Sequence, residues 1–218
     1  MPLSELQLQR YARQLALKEF TCEKQEHLLS SRVAILGSGL SAELCTLYLA
    51  ASGIGILLLV SDKKHSADMA SRAKALNPDI EIKISTGIPS SRDYIIDFTQ
   101  NIGPGDCEKI AAKVHGGTPY ILALISGRFS IVKKMHSDDA CPSCVLASSG
   151  KKIPELHVRD EPGIAGPAAA AMAIGELAGY SIAPREALII DASAGNYNLL
   201  KIEPSDNCKI CGLFKKTG

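Results

Sequence analysis

Neither sign of charge is in excess in this sequence. Lys and Arg number 24 against 23 Asp and Glu, a formal net charge of +1 at pH 7. That balance excludes the basic footprint of a nucleic-acid binder and the field of a charged substrate funnel. Long apolar runs are missing as well. The run around Gly53 to Val60 is too short to span a bilayer, and the opening MPLSELQLQR lacks a signal-peptide pattern. The expectation is a cytoplasmic protein with no nucleic-acid partner and no membrane attachment. No internal repeat, low-complexity tract or linker divides the chain, which predicts one domain over residues 1–218. Seven cysteines in a cytoplasmic setting argue against a disulfide framework, so their spacing is read for metal or chemistry instead.

What is present is an ordinary globular composition, 46% apolar and 22% charged, arranged around Ser31 to Asp62. Val33 to Leu36 is a short apolar run ending in Gly37-Ser38-Gly39. A helical segment over Ser41 to Ala51, the Gly53/Gly55 break and a second run over Ile56 to Val60 follow. Strand, glycine turn, helix and strand make the unit that holds a nucleotide at the carboxyl end of its first strand. In the spacing Gly37, Gly39, Ala42, the first glycine makes the tight turn and the second lets backbone N–H groups approach a phosphate. The small third residue lets the helix pack closely.

Before this unit, Ser4 and Gln7 form a capping box for a helix with Leu8, Tyr11, Ala12 and Leu15 at helical spacing, and Arg10 and Arg13 one turn apart elsewhere on it. The pattern of charge alone reads as a solvated basic face. A second short helix covers about Cys22 to Leu29. After Asp62, Lys63, Lys64 and His65 lead a helix to Leu76, and Ile80, Ile82 and Ile84 alternate as a strand with one wet face. Tyr94 to Phe98 is the next strand, and Asp106 caps a helix to about His115. Tyr120 to Ile125 turns through Gly127 into Phe129 to Val132, where hairpins replace crossovers. Pro167 starts a second long helix of small residues, packed on the sheet or on another subunit. Ala187 to Ile190 and Tyr197 to Ile202 close the sheet. The predicted fold is α/β, a Rossmann-like and mostly parallel sheet with flanking helices, continuing into an antiparallel hairpin region. Its parts are N-terminal helices over 1–30, a nucleotide-fold half over 31–126, and a hairpin, zinc and C-terminal half over 127–218.

Cys141-Pro-Ser-Cys144 and Cys208-Lys-Ile-Cys211 are two CxxC pairs. Each can wrap a metal in one turn, and together they supply the four thiolates of a closed structural zinc site. Thiolate softness favours zinc over calcium or magnesium. The competing readings are four unrelated thiols or a redox CxxC. Cys45 falls inside the glycine-motif helix as a buried thiol, and Cys22 and Cys107 have no partner visible in the sequence.

Taken together, Tyr11-Ala-Arg13-Gln14, Gln25-Glu-His-Leu28, Ser31-Arg-Val-Ala-Ile-Leu-Gly37-Ser-Gly39 and Tyr48-Leu-Ala-Ala-Ser-Gly53-Ile-Gly55 resemble the ThiF/MoeB/HesA family, the ubiquitin-activating-type adenylyltransferases. Leu76-Asn77-Pro78, Asp97-Phe-Thr-Gln100-Asn101, Glu161-Pro-Gly163-Ile-Ala-Gly-Pro167 and the CxxC pairs extend the resemblance nearly end to end. It implies ATP and magnesium, used to adenylate the C-terminal glycine of a small ubiquitin-like or sulfur-carrier protein. It also implies a dimer in which Arg13 reaches across to the ATP phosphates, with Gly37 and Gly39 in the nucleotide loop.

Several family positions are altered. Ser61 stands on the ribose-binding acid, with Asp62 one place later, and the segment beyond it with a phosphate-binding Asn and Arg is absent. The catalytic lysine falls on His65, with Lys63 and Lys64 beside it. The metal-placing Asp is Gln100, whose amide supplies no anionic oxygen for magnesium. Arg159 takes the place of the thiol that some members carry. The reading is a shortened, non-catalytic member that acts as a scaffold, as a homodimer or as a heterodimer with an active family member, Arg13 serving the partner's site. The alternatives are an active adenylyltransferase in which Asp97 or Asp62 holds the metal and Lys63 or Lys64 the phosphates, and an NAD-binding oxidoreductase in which Asp62 meets a ribose hydroxyl.

Overall fold

The computed structural model describes residues 2–87, 94–99, 102–150, 163–180 and 185–214. The chain opens with α1 (Glu5–Arg10), α2 (Ala12–Leu15) and α3 (Cys22–Ser30). An alternation follows of β1 (Arg32–Leu36), α4 (Leu40–Ser52), β2 (Ile56–Val60), α5 (Lys63–Leu76), β3 (Glu81–Ser85), β4 (Tyr94–Asp97), α6 (Pro104–His115) and β5 (Tyr120–Ser126). The remainder comprises β6 (Phe129–Met135), α7 (Pro142–Gly150), α8 (Ala165–Leu177), β7 (Ala187–Asp191), β8 (Asn196–Leu200) and α9 (Lys209–Phe214).

Among the described residues the strands form one eight-stranded sheet, ordered β3-β2-β1-β4-β5-β6-β7-β8. The first five are parallel, and β6, β7 and β8 each pair antiparallel with the strand before. The chain leaves β1 toward β2 on one side and returns as β4 on the other, so the strand order reverses between β1 and β4. In open α/β sheets ligands settle outside the carboxyl ends of the strands at such a reversal.

Both faces of the sheet are covered, which is why its inner strands read as continuous apolar runs. Alternate residues go to opposite sides. Val33, Ile35, Tyr94 and Ile96 join the core beneath α4, α5 and α8. Ala34, Leu36, Ile95 and Tyr120 join a second core beneath α6 and α7.

Local sequence explains most boundaries. Ser4 and Gln7 form the reciprocal capping box, but the helix they start breaks at Tyr11 and resumes as α2. Gly53 ends α4 in a left-handed conformation (φ 88°), with Ile54 N–H bonded to Leu49 O at 3.1 Å. Three expectations change. First, α6 begins at Pro104, whose ring presets the first helical φ, and Asp106 lies inside the first turn, accepting from Gly103 N–H at 3.2 Å. Second, α8 begins at Ala165, two residues before Pro167, because the N–H that proline lacks has no helical partner in the first turn. Third, β5–β6 and β7–β8 are hairpins, but β6 reaches β7 through α7 and α8.

The helix of small residues packs inward. A Cβ on Gly166 would lie 2.1 Å from Ser41 O and 2.9 Å from Cys45 N, so α8 meets the backbone of α4. Gly166→Ala should therefore cost about 2 kcal/mol or more through overpacking. Gly105→Ala, whose Cβ would meet nothing within 4 Å, should be neutral or stabilise by about 0.5 kcal/mol. Urea denaturation of the two variants measures the difference.

Candidate nucleotide crevice and tetracysteine cluster

The crevice is shaped at the carboxyl ends of β1 and β4. Gly37 and Gly39 hold φ of 94° and 102°, conformations that L side chains disfavour. Gly37 N–H donates to Val60 O at 3.0 Å, and Phe98 N–H donates to Leu36 O at 2.8 Å. A Cβ at Gly37 would stand 2.8 Å from the carbonyl carbon of Phe98, so the loop can turn there only without a side chain. Gly39 is the N-cap residue of α4, whose dipole points its positive end at the crevice.

Beside it, the β2–α5 junction is tied into local hydrogen bonds. Asp62 is the N-cap of α5: Oδ1 accepts from the Lys64 and His65 backbone N–H groups at 3.1 Å each, and Oδ2 lies 2.6 Å from His65 Nδ1. These bonds, the His65 N–H first among them, hold its carboxyl below the usual range. Ser61 bonds Ser66, Oγ to Oγ, at 2.8 Å. Lys63 and Lys64 are exposed and form no ion pair among the described residues. Gln100 and Arg159 lie outside the described residues.

Asp97, next to the glycine loop, is buried. Its Oδ1 accepts from Thr99 N–H at 2.7 Å, and its Oδ2 accepts from the Tyr120 hydroxyl. Burial raises its carboxyl above the ordinary value, the Thr99 and Tyr120 bonds working against that. Both oxygens are thus committed to the protein. A cavity of about 80 Å³ lies beside it, between Leu36, Thr99, Ile102 and the α6 residues Asp106 and Ile110.

Arg13 is exposed on α2, without an ion pair among the described residues, whereas Arg10 binds Asp79 (3.2 Å) rather than bare solvent. The residues around Arg13 fasten its helix to the last turn of α4. Gln14 and Gln25 donate to Ser52 O, each at 3.1 Å. Asn77 donates to Ala50 O at 2.7 Å and to the Tyr11 hydroxyl at 2.9 Å. Ser52 O, one of the carbonyls at the helix end, is satisfied by the two glutamines.

The CxxC pairs come together. Cys141 and Cys144 open α7, Cys208 and Cys211 open α9, and the four sulfurs all lie within 4.8 Å of one another. Cys141–Cys208 is 3.5 Å, Cys144–Cys211 3.6 Å and Cys141–Cys144 3.9 Å. A tetrahedron with metal–sulfur bonds of about 2.3 Å has edges of about 3.8 Å. The set therefore fits a four-coordinate metal, and Ser205 N–H, 3.3 Å from Cys144 Sγ, supplies an outer hydrogen bond. Burial pushes Cys144 up to about 11. At Cys208 burial acts in the same sense but is outweighed by the Cys211 backbone N–H and neighbouring thiols, which bring it down to about 7. Cys45 is buried with its thiol pushed up by desolvation, Cys107 is buried in α6, and Cys22 is exposed.

One pairing has no counterpart in the sequence reading. Lys133 on β6 is 1% exposed, with Nζ 2.7 Å from Asp139 and 2.6 Å from Arg185 O. The signal was two successive lysines in a strand, one of which must enter a covered face.

No family model matches the chain. It is 26% identical over 248 aligned positions to the sulfur carrier protein ThiS adenylyltransferase of Escherichia coli, covering 96% of this chain and 97% of that protein. That alignment is longer than the chain's 218 residues, so the relative carries insertions. The adenylyltransferase and sulfurtransferase MOCS3 of rice is 24% identical over 225 positions, 94% of this chain and 49% of that protein. A crystal structure of E. coli MccB with ATP superposes with a TM-score of 0.71 at 16% identity, over 93% of this chain and 73% of that one. The fold is shared with MccB. In sequence the chain is similar to ThiF-, HesA- and MOCS3-type proteins. Among the described residues, no helix is long and apolar enough to cross a membrane.

Because burial raises Asp97 in the folded state, the native protein binds the extra proton between the unfolded carboxylate range and its own higher pKa, and stability falls as pH rises through that window. Asp97→Asn should abolish this slope above about pH 4. Denaturation midpoints of both proteins from pH 4 to 8 test it.

Proposed function

We propose that this chain is a single-domain family member that no longer adenylates. It serves as a dimer partner or scaffold in the activation of a ubiquitin-like or sulfur-carrier protein in the cytoplasm. The observation that carries this reading is the junction of β2 and α5: two residues separate the strand from the helix, and the acid between them is spent on capping. No chain length is left there for phosphate-binding groups, and His65, at the lysine position, is held by Asp62. Gln100 supplies no charged oxygen for magnesium. Asp97, the other candidate for the metal, has both oxygens engaged. Arg13, exposed and braced against α4, is free to enter a partner's site. The metal of the tetracysteine set is zinc, by thiolate softness and tetrahedral spacing. Its role is to tie α9 to α7.

A second reading, an active ATP-dependent adenylyltransferase, is favoured by the Gly37–Gly39 loop at the strand-order reversal and by the names of the relatives, although Leu40, Ser41 and Ala42 stand where the family has further glycines. The oxidoreductase reading needs a free Asp62 carboxylate for the ribose, and that carboxylate is engaged.

ATP–pyrophosphate exchange separates the first two. The purified chain, offered glycine-tailed carriers, should exchange at the blank rate, and sustained exchange would establish the enzyme. In a heterodimer with an active family member, Arg13→Ala should slow the partner roughly a hundredfold; full activity of that variant removes the proposed role in trans. The purified chain should also contain one equivalent of zinc, whose removal by a chelator lowers the thermal midpoint.

A further inference from the structure

The tetracysteine cluster is flanked by cavities on two sides. One, of about 200 Å³, is lined by Cys141 and Cys211 with His115, Asp138 and Asp139. The other, of about 440 Å³, is lined by Cys144 and Cys208 with Pro104, Ser205 and Lys209. Each is far larger than the ~30 Å³ share of one water molecule, and each has polar side chains in its wall, Asp138 and Asp139 in the first and Asn207 and Lys209 in the second. Two close sulfur separations, Cys141–Cys208 at 3.5 Å and Cys144–Cys211 at 3.6 Å, both cross from one motif to the other. Each of these pairs has one sulfur lining either cavity. A small polar oxidant arriving from either side therefore meets one thiolate with its partner directly behind.

We propose that the cluster is a peroxide-responsive site, in which hydrogen peroxide closes Cys141 onto Cys208 and Cys144 onto Cys211 and the metal is released. The proposal rests on the zinc reading above. One thiolate attacks peroxide, breaking the O–O bond to give a sulfenic acid and a hydroxide that takes a proton to become water. The paired thiolate attacks the sulfenic sulfur, forming the S–S bond and expelling hydroxide, which takes a second proton. Each disulfide thus consumes one peroxide and two protons and yields two waters; two closures remove all four ligands. Both bonds join the α7 motif to the α9 motif, so the tail stays fastened when the metal leaves. Disulfides within the motifs would set it free.

The test uses the full chain with Cys22→Ser, which removes the exposed thiol, loaded with one equivalent of zinc. Hydrogen peroxide is titrated in while a chromogenic chelator reports zinc, a thiol reagent counts sulfhydryls, and mass spectrometry of unreduced tryptic peptides maps links. The expected result is one zinc released and four thiols lost for two peroxides, with links 141–208 and 144–211, reversed by dithiothreitol and zinc. Zinc retained at tenfold excess peroxide overturns the proposal, as do links within a motif or sulfinic acid in place of disulfides. A chain that takes up no zinc overturns both this and the zinc assignment; uptake without release overturns the switch alone.

Discussion

The layers of this fold are set against α4, and the contact that fixes its place is backbone on backbone. Where Gly166 meets Ser41 and Cys45, any side chain on α8 would force the two helices apart. That approach covers the face beneath which Val33, Ile35 and Phe98 are buried. The turn into α4 is constrained just as tightly, since Gly37 lies against the Phe98 backbone. One glycine brings α8 to the helix and another brings β4 to its loop. The helix that carries the candidate phosphate-binding end is therefore immobilised from flank and base together.

The far end of α4 is held by polar chemistry. Ser52 O is a helix-terminal carbonyl in the half-buried contact with the N-terminal helices, and leaving it unpaired away from water would cost about 1–3 kcal/mol; Ala50 O already accepts from Gly53 N–H at 3.1 Å. Gln14 and Gln25 pair Ser52 O, and Asn77 adds a second donor to Ala50 O. This gives the Tyr11, Gln14, Gln25 and Asn77 signature a physical purpose separate from nucleotide chemistry. A chain that stopped using ATP would keep these residues for the sake of α4, and with them the helix on which Arg13 stands.

Much of this was legible because the signals were local. The Gly37–Gly39 loop, the capping box at Ser4 and the two CxxC motifs are each decided within a few residues, and the fold used each as spaced. Asp62 was less legible because one position supports two meanings. An acid at the end of β2 reads as a ribose ligand, and an acid before Lys63 reads as a helix cap. The start of α5 at the next residue shows the cap. Lys133 was hidden for a different reason. Alternation puts Lys133 and Lys134 on opposite faces, but which faces are covered depends on α7 and α8, far along the chain. The Asp97–Tyr120 bond likewise needed the parallel pairing of β4 with β5.

The crevice therefore combines two walls with different histories of constraint. The Gly37–Gly39 wall cannot change without disturbing the sheet, because Gly37 lies against the Phe98 backbone at the end of β4. The β2–α5 wall has no such bond to the core: Asp62, Lys63, Lys64 and His65 sit at its rim, and Asp62 needs nothing beyond the helix it caps. A chain relieved of adenylation would lose the second wall and retain the first. A preserved glycine loop is consequently weak testimony for ATP chemistry in this fold, and the junction after β2 is the more informative place to read it.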